Sequence, residues 1–207
     1  MLKKIIKGYL FVDYWNIGIA KAPINDFLNE EKPNIEWFPL KSKKYFIADS
    51  FAIADKYNKD KLHIFAEIYH FKGNKGIIQH ILYEKKTGFF EPTTVLENET
   101  HLSYPYIIED EDDIYLLPEN KEENKVKLYK ATSFPLKWDD GSDGSSSYKL
   151  NLFYSDNLES DQWEVHPQNP ITIDIACSRS AGTPFEHNNV LYRPSMDYSE
   201  KLKGKLL

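Results

Sequence analysis

Arginine is nearly absent from this chain: lysine carries the positive charge everywhere except at Arg179 and Arg193. A surface that tracks phosphates needs clustered cations to release counterions, and a net charge of -6 leaves none to spare, so nucleic acid is not an expected partner. Cysteine occurs once, at Cys177, so no internal disulfide forms and the fold does not depend on an oxidising compartment. Set in ITIDIACS, that thiol reads as buried and inert rather than nucleophilic. No run approaches the ~18 apolar residues that a membrane helix needs. The opening MLKKIIKGYLFVDYWNIGI imitates a signal peptide, but Lys7, Gly8 and Asp13 interrupt its apolar stretch and no small-residue cleavage site follows. A cytoplasmic, soluble protein is the expectation. His166 and His187 have no metal-ligand spacing with other His or Cys, and no metal or cofactor is expected.

Aromatic residues, by contrast, make up 14% of the 207 residues, and helical periodicity is scarce. Short alternating apolar runs, broken by turn residues every ten or so positions, are the pattern of an all-β fold. Three segments share one plan: residues 46–67, 101–119 and 178–195 each combine a polar lead-in, a short apolar strand, an acidic or Asn-rich turn and a second strand. A further alternating strand follows the first two, at residues 76–90 and 125–138, and a similar run spans residues 148–163. The three runs close on Phe90, Trp138 and Trp163. A hairpin plus a third strand, repeated, is the plan of a β-propeller blade. The whole chain, residues 1–207, reads as one such domain, since half of it would make only a marginal core.

The spacing exposes a gap. The third-strand motif recurs after 46 residues from Leu82 to Leu128, but after only 24 from Leu128 to Leu152. Between them lies DDGSDGSSS, residues 139–147, whose composition predicts a flexible loop, so a hairpin is expected to be missing. The C-terminal tail EKLKGKLL adds one strand at most.

WNIGI (15–19), ADSFAI (48–53), IFAEIY (64–69), KGIIQ (75–79), HLSYPYIIED (101–110), IYLLPE (114–119), LNLFYSDNL (150–158), HPQNPI (166–171), SRSAG (178–182) and YRPSMD (192–197) together carry a family resemblance. The chain resembles the N-terminal propeller domain of glucosamine inositolphosphorylceramide transferases, and through it the five-bladed propellers of arabinanase and levansucrase-type glycosidases. The resemblance implies a five-bladed all-β propeller, shortened in its third blade and at its C-terminal strands. It also implies an association with sugar transfer or sugar modification. The chain departs from the family's pattern at the missing hairpin, at Met196 where Gln is usual, and at Ser50 where Pro follows the aspartate.

In a propeller the first strand of each blade lines the central channel, so residues at its leading end converge on one funnel. Asp49, His101, Tyr104 and Arg179 are expected to meet there, with Glu67, Glu119 and Arg193 forming an outer wall. Each has a plainer reading. Asp49 can bond its own turn, and His101 can be a packing histidine. Tyr104, held extended by Pro105, can stack on a sugar or fill the channel. The two arginines imply planar pairing with a carboxylate or phosphate, or internal pairing with Asp49, Glu67 or Asp197. EDEDD, residues 109–113, reads as a solvated turn.

Three functions are ranked in order. The first is non-catalytic recognition of a sugar or glycolipid headgroup, served by His101, Tyr104, Arg179, Arg193 and Asp197, for a transferase partner. The second is inverting glycoside hydrolysis, with Asp49 as base and Glu119 or Glu67 as acid. The third is a scaffold propeller. An unclosed ring leaves an open edge through which a homodimer can form.

Overall fold

Turn chemistry and alternation produce strands along most of the chain. The computed structural model describes residues 14–29, 32–120, 122, 126–144, 152–160, 162–173 and 177–196. A short pair, β1 (Gly18–Ala20) and β2 (Ile35–Trp37), flanks the helix α1 (Ile24–Leu28). The first large sheet joins β3 (Tyr45–Ala54), β4 (Lys61–His70), β5 (Lys75–Glu84) and β6 (Gly88–Phe89), with β7 (Thr93–Leu96) also pairing β5. A second sheet has the order β11-β10-β9-β8, from β8 (Ser103–Asp110), β9 (Asp113–Glu119), β10 (Val126–Ser133) and β11 (Lys137–Gly144). Three two-stranded ladders follow. They are β12 (Phe153–Tyr154) with β13 (Glu164–Val165), β14 (Arg179–Ser180) with β17 (Ser195–Met196), and β15 (Phe185–His187) with β16 (Val190–Tyr192). The described chain is therefore all-β, and none of its described sheets closes on itself.

The hairpins expected at 46–67, 101–119 and 178–195 all form, because each turn has the chemistry it needs. Asp55 Oδ1 accepts from the backbone N–H of Tyr57 and Asn58, closing the β3–β4 turn. Asn188 and Asn189 both have positive φ, which suits a tight turn between right-twisted strands. The acidic turn of EDEDD is solvated, with Asp112 exposed and paired to Lys56 at 2.8 Å.

Two regions differ from expectation. DDGSDG is not a loop through residue 144 but most of β11, paired to β10 from Ser133↔Lys137 to Val126↔Gly144. A ladder held by backbone bonds at a sheet edge needs no apolar side chains, so composition conceals it. Trp138 consequently opens a fourth strand instead of closing a third. The run at 148–163 contributes, among the described residues, only the exposed strand β12, which pairs with β13 just beyond the run, and Trp163 Nε1 donates to Ser160 O. Cys177 is only partly buried, with its Sγ 3.7 Å from Thr172 Oγ1.

The core explains why the first sheet is the anchor. β4 is buried on both faces from His63 to Ile68. Ile64, Ala66 and Ile68 join Ile17, Phe38, Ile47, Ile77, Ile81 and Tyr83 in one cluster. Phe65 joins Ile78, Leu102, Ile107, Leu116 and Tyr129 in another, which glues the two large sheets together. Burying each isoleucine, leucine or phenylalanine among them contributes about 1.5–3 kcal/mol.

One device recurs in both sheets. The β3–β4 register runs Ala48↔Glu67 and then Phe51↔Phe65, so Asp49 and Ser50 oppose a single residue. The β8–β9 register runs Ser103↔Glu119 and then Tyr106↔Leu117, so Tyr104 and Pro105 do the same. These are β-bulges, and the first residue of each lies in the left-handed region, Asp49 at φ 50° and Tyr104 at φ 48°. Tyr104 is thus not extended as its proline neighbour predicted, because the bulge overrides that preference. In β3 the extra residue also flips the alternation, so Ile47 faces the first cluster while Phe51 and Ile53 face the second.

Candidate functional site

The bulges set up the site. They turn Asp49 and Tyr104 out of their ladders at matching positions, beside Glu67 and Glu119, the residues that pair with the strand just before each bulge. Phe51 supports the corner from beneath, packing edge-on against Tyr104 at 4.8 Å and Tyr106 at 5.3 Å.

Gly76 at the start of β5 locks the two sheets together. Its carbonyl accepts from Leu102 N–H at 3.0 Å, and its N–H donates to His101 Nδ1 at 2.9 Å. A Cβ there would lie 2.5 Å from Leu102 O, 2.6 Å from Glu67 Oε1 and 2.9 Å from His101 Cε1, so only glycine fits. Because Nδ1 is an acceptor, the His101 proton sits on Nε2, which faces Glu67 Oε1 at 3.5 Å. Tyr69 packs edge-on against the same ring.

The third hairpin closes the cluster. Gly182 N–H donates to Tyr104 Oη at 3.1 Å, and Arg179 Nη2 approaches Glu119 Oε2 at 3.4 Å. Glu67 is 5% exposed, with its Oε1 toward His101 Nε2. Burial, then the charges of Asp49 and Glu119, push its carboxyl up to about 8, with Arg179 opposing. Burial also raises Asp49, which Arg179 eases, Glu119 raises further and His101 eases. The Tyr104 phenol goes up to about 12, through burial above all, against the Gly182 N–H. The cluster thus holds a proton on a buried acid beside a phenol, an imidazole N–H and a guanidinium.

Asp49, Glu67, Glu119, His101, Tyr104 and Arg179 are therefore brought together. Glu67 is not an outer wall as expected but the deepest member, since it lies between the two sheets on the Phe65 face of β4. Arg193 does not join them: its Nη2 donates to Cys177 O at 2.5 Å, and its buried Nη1 has no hydrogen-bond partner among the described residues. Asp197 lies outside the described residues. Gly76 and Gly182 were not anticipated, although a lone glycine opening the apolar run GIIQHIL marks a close approach. A separate open groove of about 780 Å³ lies near Lys75, Asn98, Thr100 and Tyr129. Lys75 is already bonded to Glu97 Oε1 and Asn98 O, and among the described residues no three His, Cys, Asp or Glu are placed to hold a metal. No described helix is long and apolar enough to cross a membrane.

Comparison with known proteins places this geometry in a lineage. Glucosamine inositolphosphorylceramide transferase 1 of Oryza sativa subsp. japonica is 31% identical over 143 residues, covering 52% of this chain and 19% of that protein. Its namesake in Arabidopsis thaliana is 26% identical over 190 residues, covering 75% of this chain and 24% of that protein. The chain thus spans about a fifth to a quarter of these relatives' length. No solved structure matches it. Residues 39–142, which contain both bulges, Gly76 and His101, match the family described as glucosamine inositolphosphorylceramide transferase 1, N-terminal, and the chain belongs to that family.

Proposed function

We propose that this chain is a carbohydrate-recognition domain of five-bladed propeller type, reading a sugar or glycolipid headgroup in the service of a sugar-transferring activity. The observation that carries this reading is the convergence of five polar side chains, drawn from three hairpins, on the buried acid Glu67. Concave sites with a few convergent polar groups over aromatic walls are the usual small-ligand sites. The paired bulges support the radial reading, because they make the first two sheets copies of one unit. The relatives' names join glucosamine to inositolphosphorylceramide, so an amino sugar and a phosphate-bearing headgroup are both candidate ligands. A glycan-array screen with the wild type and Asp49→Asn tests it: sugar binding without turnover, weakened by the substitution, is expected. An array with no hits refutes it.

A second reading, inverting glycoside hydrolysis, is favoured by one observation: Glu67 keeps its proton up to about 8, as a general acid requires. At the second blade's matching bulge stand Tyr104 and Pro105 rather than a further carboxylate, which ranks hydrolysis second. Release of reducing sugar by the wild type and its loss in Glu67→Gln would reverse the order.

A further inference from the structure

We infer that the strand ends around Lys43, Lys44, Phe71 and Lys72 form a docking face for a bilayer surface rich in anionic lipid. This goes beyond the sugar reading and does not depend on it, since it concerns the rim of the first sheet and not the acid cluster.

The net charge of -6 hides a separation of charge along the strands. The Lys56–Asp112 pair places the acidic turn EDEDD beside the β3–β4 turn, at one end of both large sheets. At the other end of the first sheet, Phe71 N–H donates to Lys44 O at 3.1 Å, and His70 pairs with Tyr45 on one side and Lys75 on the other. The lead-in to β3 and the β4–β5 turn are thereby drawn together, so Lys41, Lys43, Lys44, Lys72 and Lys75 share one edge. Lys41 and Lys75 are paired with Glu91 and Glu97. Lys43, Lys44 and Lys72 are exposed and have no acid at ion-pair distance among the described residues. The edge therefore keeps uncompensated positive charge in an acidic chain.

Aromatic rings interleave with these lysines. Tyr14, 44% exposed, donates its hydroxyl to Ser42 O and stacks on Phe71 at 6.0 Å. Phe71 packs edge-on against Phe46 and Tyr69, which holds its ring at the rim. Rings beside flexible cations suit the headgroup layer of a bilayer, where lysine stems lie along apolar surface and their ammonium groups reach lipid phosphates. Both contributors are turns at strand ends, which meet a plane tip-first; an acidic peptide is gripped instead by a groove or a free strand edge. The sequence leading into Tyr14, MLKKIIKGYLFVD, adds Lys3, Lys4 and Lys7 among apolar residues, the same composition as the face it joins.

Flotation of the whole chain with lipid vesicles, without any sugar, tests the inference. At about 0.1 M NaCl the chain is expected to float with phosphatidylcholine vesicles containing about 30% phosphatidylserine and not with phosphatidylcholine alone, and to be released at about 1 M NaCl. Lys43→Gln combined with Lys72→Gln should weaken binding about 25-fold, from about fivefold per lysine at an anionic surface. Lys59→Gln combined with Lys86→Gln changes the net charge equally in the opposite turns, which the Lys85–Asp60 pair holds together, and should leave binding unchanged. Tyr14→Ala should weaken it severalfold. The inference is overturned by flotation with neither vesicle, by equal flotation with both, by equal loss in the two lysine pairs, by binding unmoved in Tyr14→Ala, or by tighter binding to soluble polyglutamate than to the anionic vesicles. Each of those results leaves the sugar reading to its own glycan array.

Discussion

Replacing Glu67 by Gln should make the protein more stable, and by an amount that depends on pH. The carboxyl moves from 4.5 in the unfolded chain to about 8 in the folded one. Between those values the folded state holds a proton that the unfolded state has released, so wild-type stability is full below pH 4.5 and falls as pH rises to about 8. At ~1.36 kcal/mol per pH unit the loss is roughly 3 kcal/mol by pH 7 and roughly 5 kcal/mol above pH 8. Glutamine has the same shape and nothing to ionise, so the variant escapes that loss. Relief of Asp49, which also feels Glu67, adds to the gain. Urea denaturation of both proteins at pH 5, 6, 7 and 8 measures it, because every other titrating group cancels in the difference to first order. The difference should grow by about 1.4 kcal/mol per pH unit through this window. At pH 7 it corresponds to roughly 6–12 °C in Tm for a chain of this size. A difference independent of pH, or a variant less stable at pH 8, would refute the placement of Glu67 as a buried acid among like charges.

Gly76→Ala should destabilise by more than about 2 kcal/mol and weaken sugar binding, as its Cβ collides with the Leu102 carbonyl and with Glu67; chemical denaturation and calorimetry check both. His80, buried and stacked near His63, is pushed down to about 4 by burial and then by His63. Its contribution is present above pH 6.5 and lost as pH falls through 4, so His80→Leu should flatten the acid limb of the stability profile by roughly 3 kcal/mol in denaturation series from pH 7 to 4. Leu116→Ala, in the cluster joining the two large sheets, should cost about 2–5 kcal/mol by the same measurement. Arg179→Ala should change stability by less than about 1 kcal/mol, since its pair with Glu119 is half exposed, yet alter sugar affinity measured by calorimetry.

The parts of this fold visible in the sequence are those written in side chains. Alternation marks β4 and β5, Asp55 and the two asparagines mark turns, and EDEDD marks a solvated bend. β11 escaped because its pairing uses backbone groups that any residue supplies. The bulges escaped because nothing in ADSF or SYPY announces a left-handed residue; at Tyr104 the proline argued for the opposite. Among site residues, the convergence of Asp49, His101, Tyr104 and Arg179 followed from repetition. The depth of Glu67 did not, because it depends on β4 being covered from both sides, by Ile17 and Phe38 on one and by the second sheet on the other. Arg193 was drawn away by the Cys177 carbonyl, a partner no spacing rule reveals.

The doubled residue at Asp49–Ser50 gives the chain a parity that length alone does not protect. Deleting Ser50 would leave every hydrophobic residue in place yet turn the rest of that strand inside out, sending Phe51 and Ile53 toward the wrong layer and withdrawing the acid from its neighbours. A loss of one codon there is thus a harsher lesion than most substitutions nearby, and homologous chains should tolerate exchange at this corner far better than a change in count.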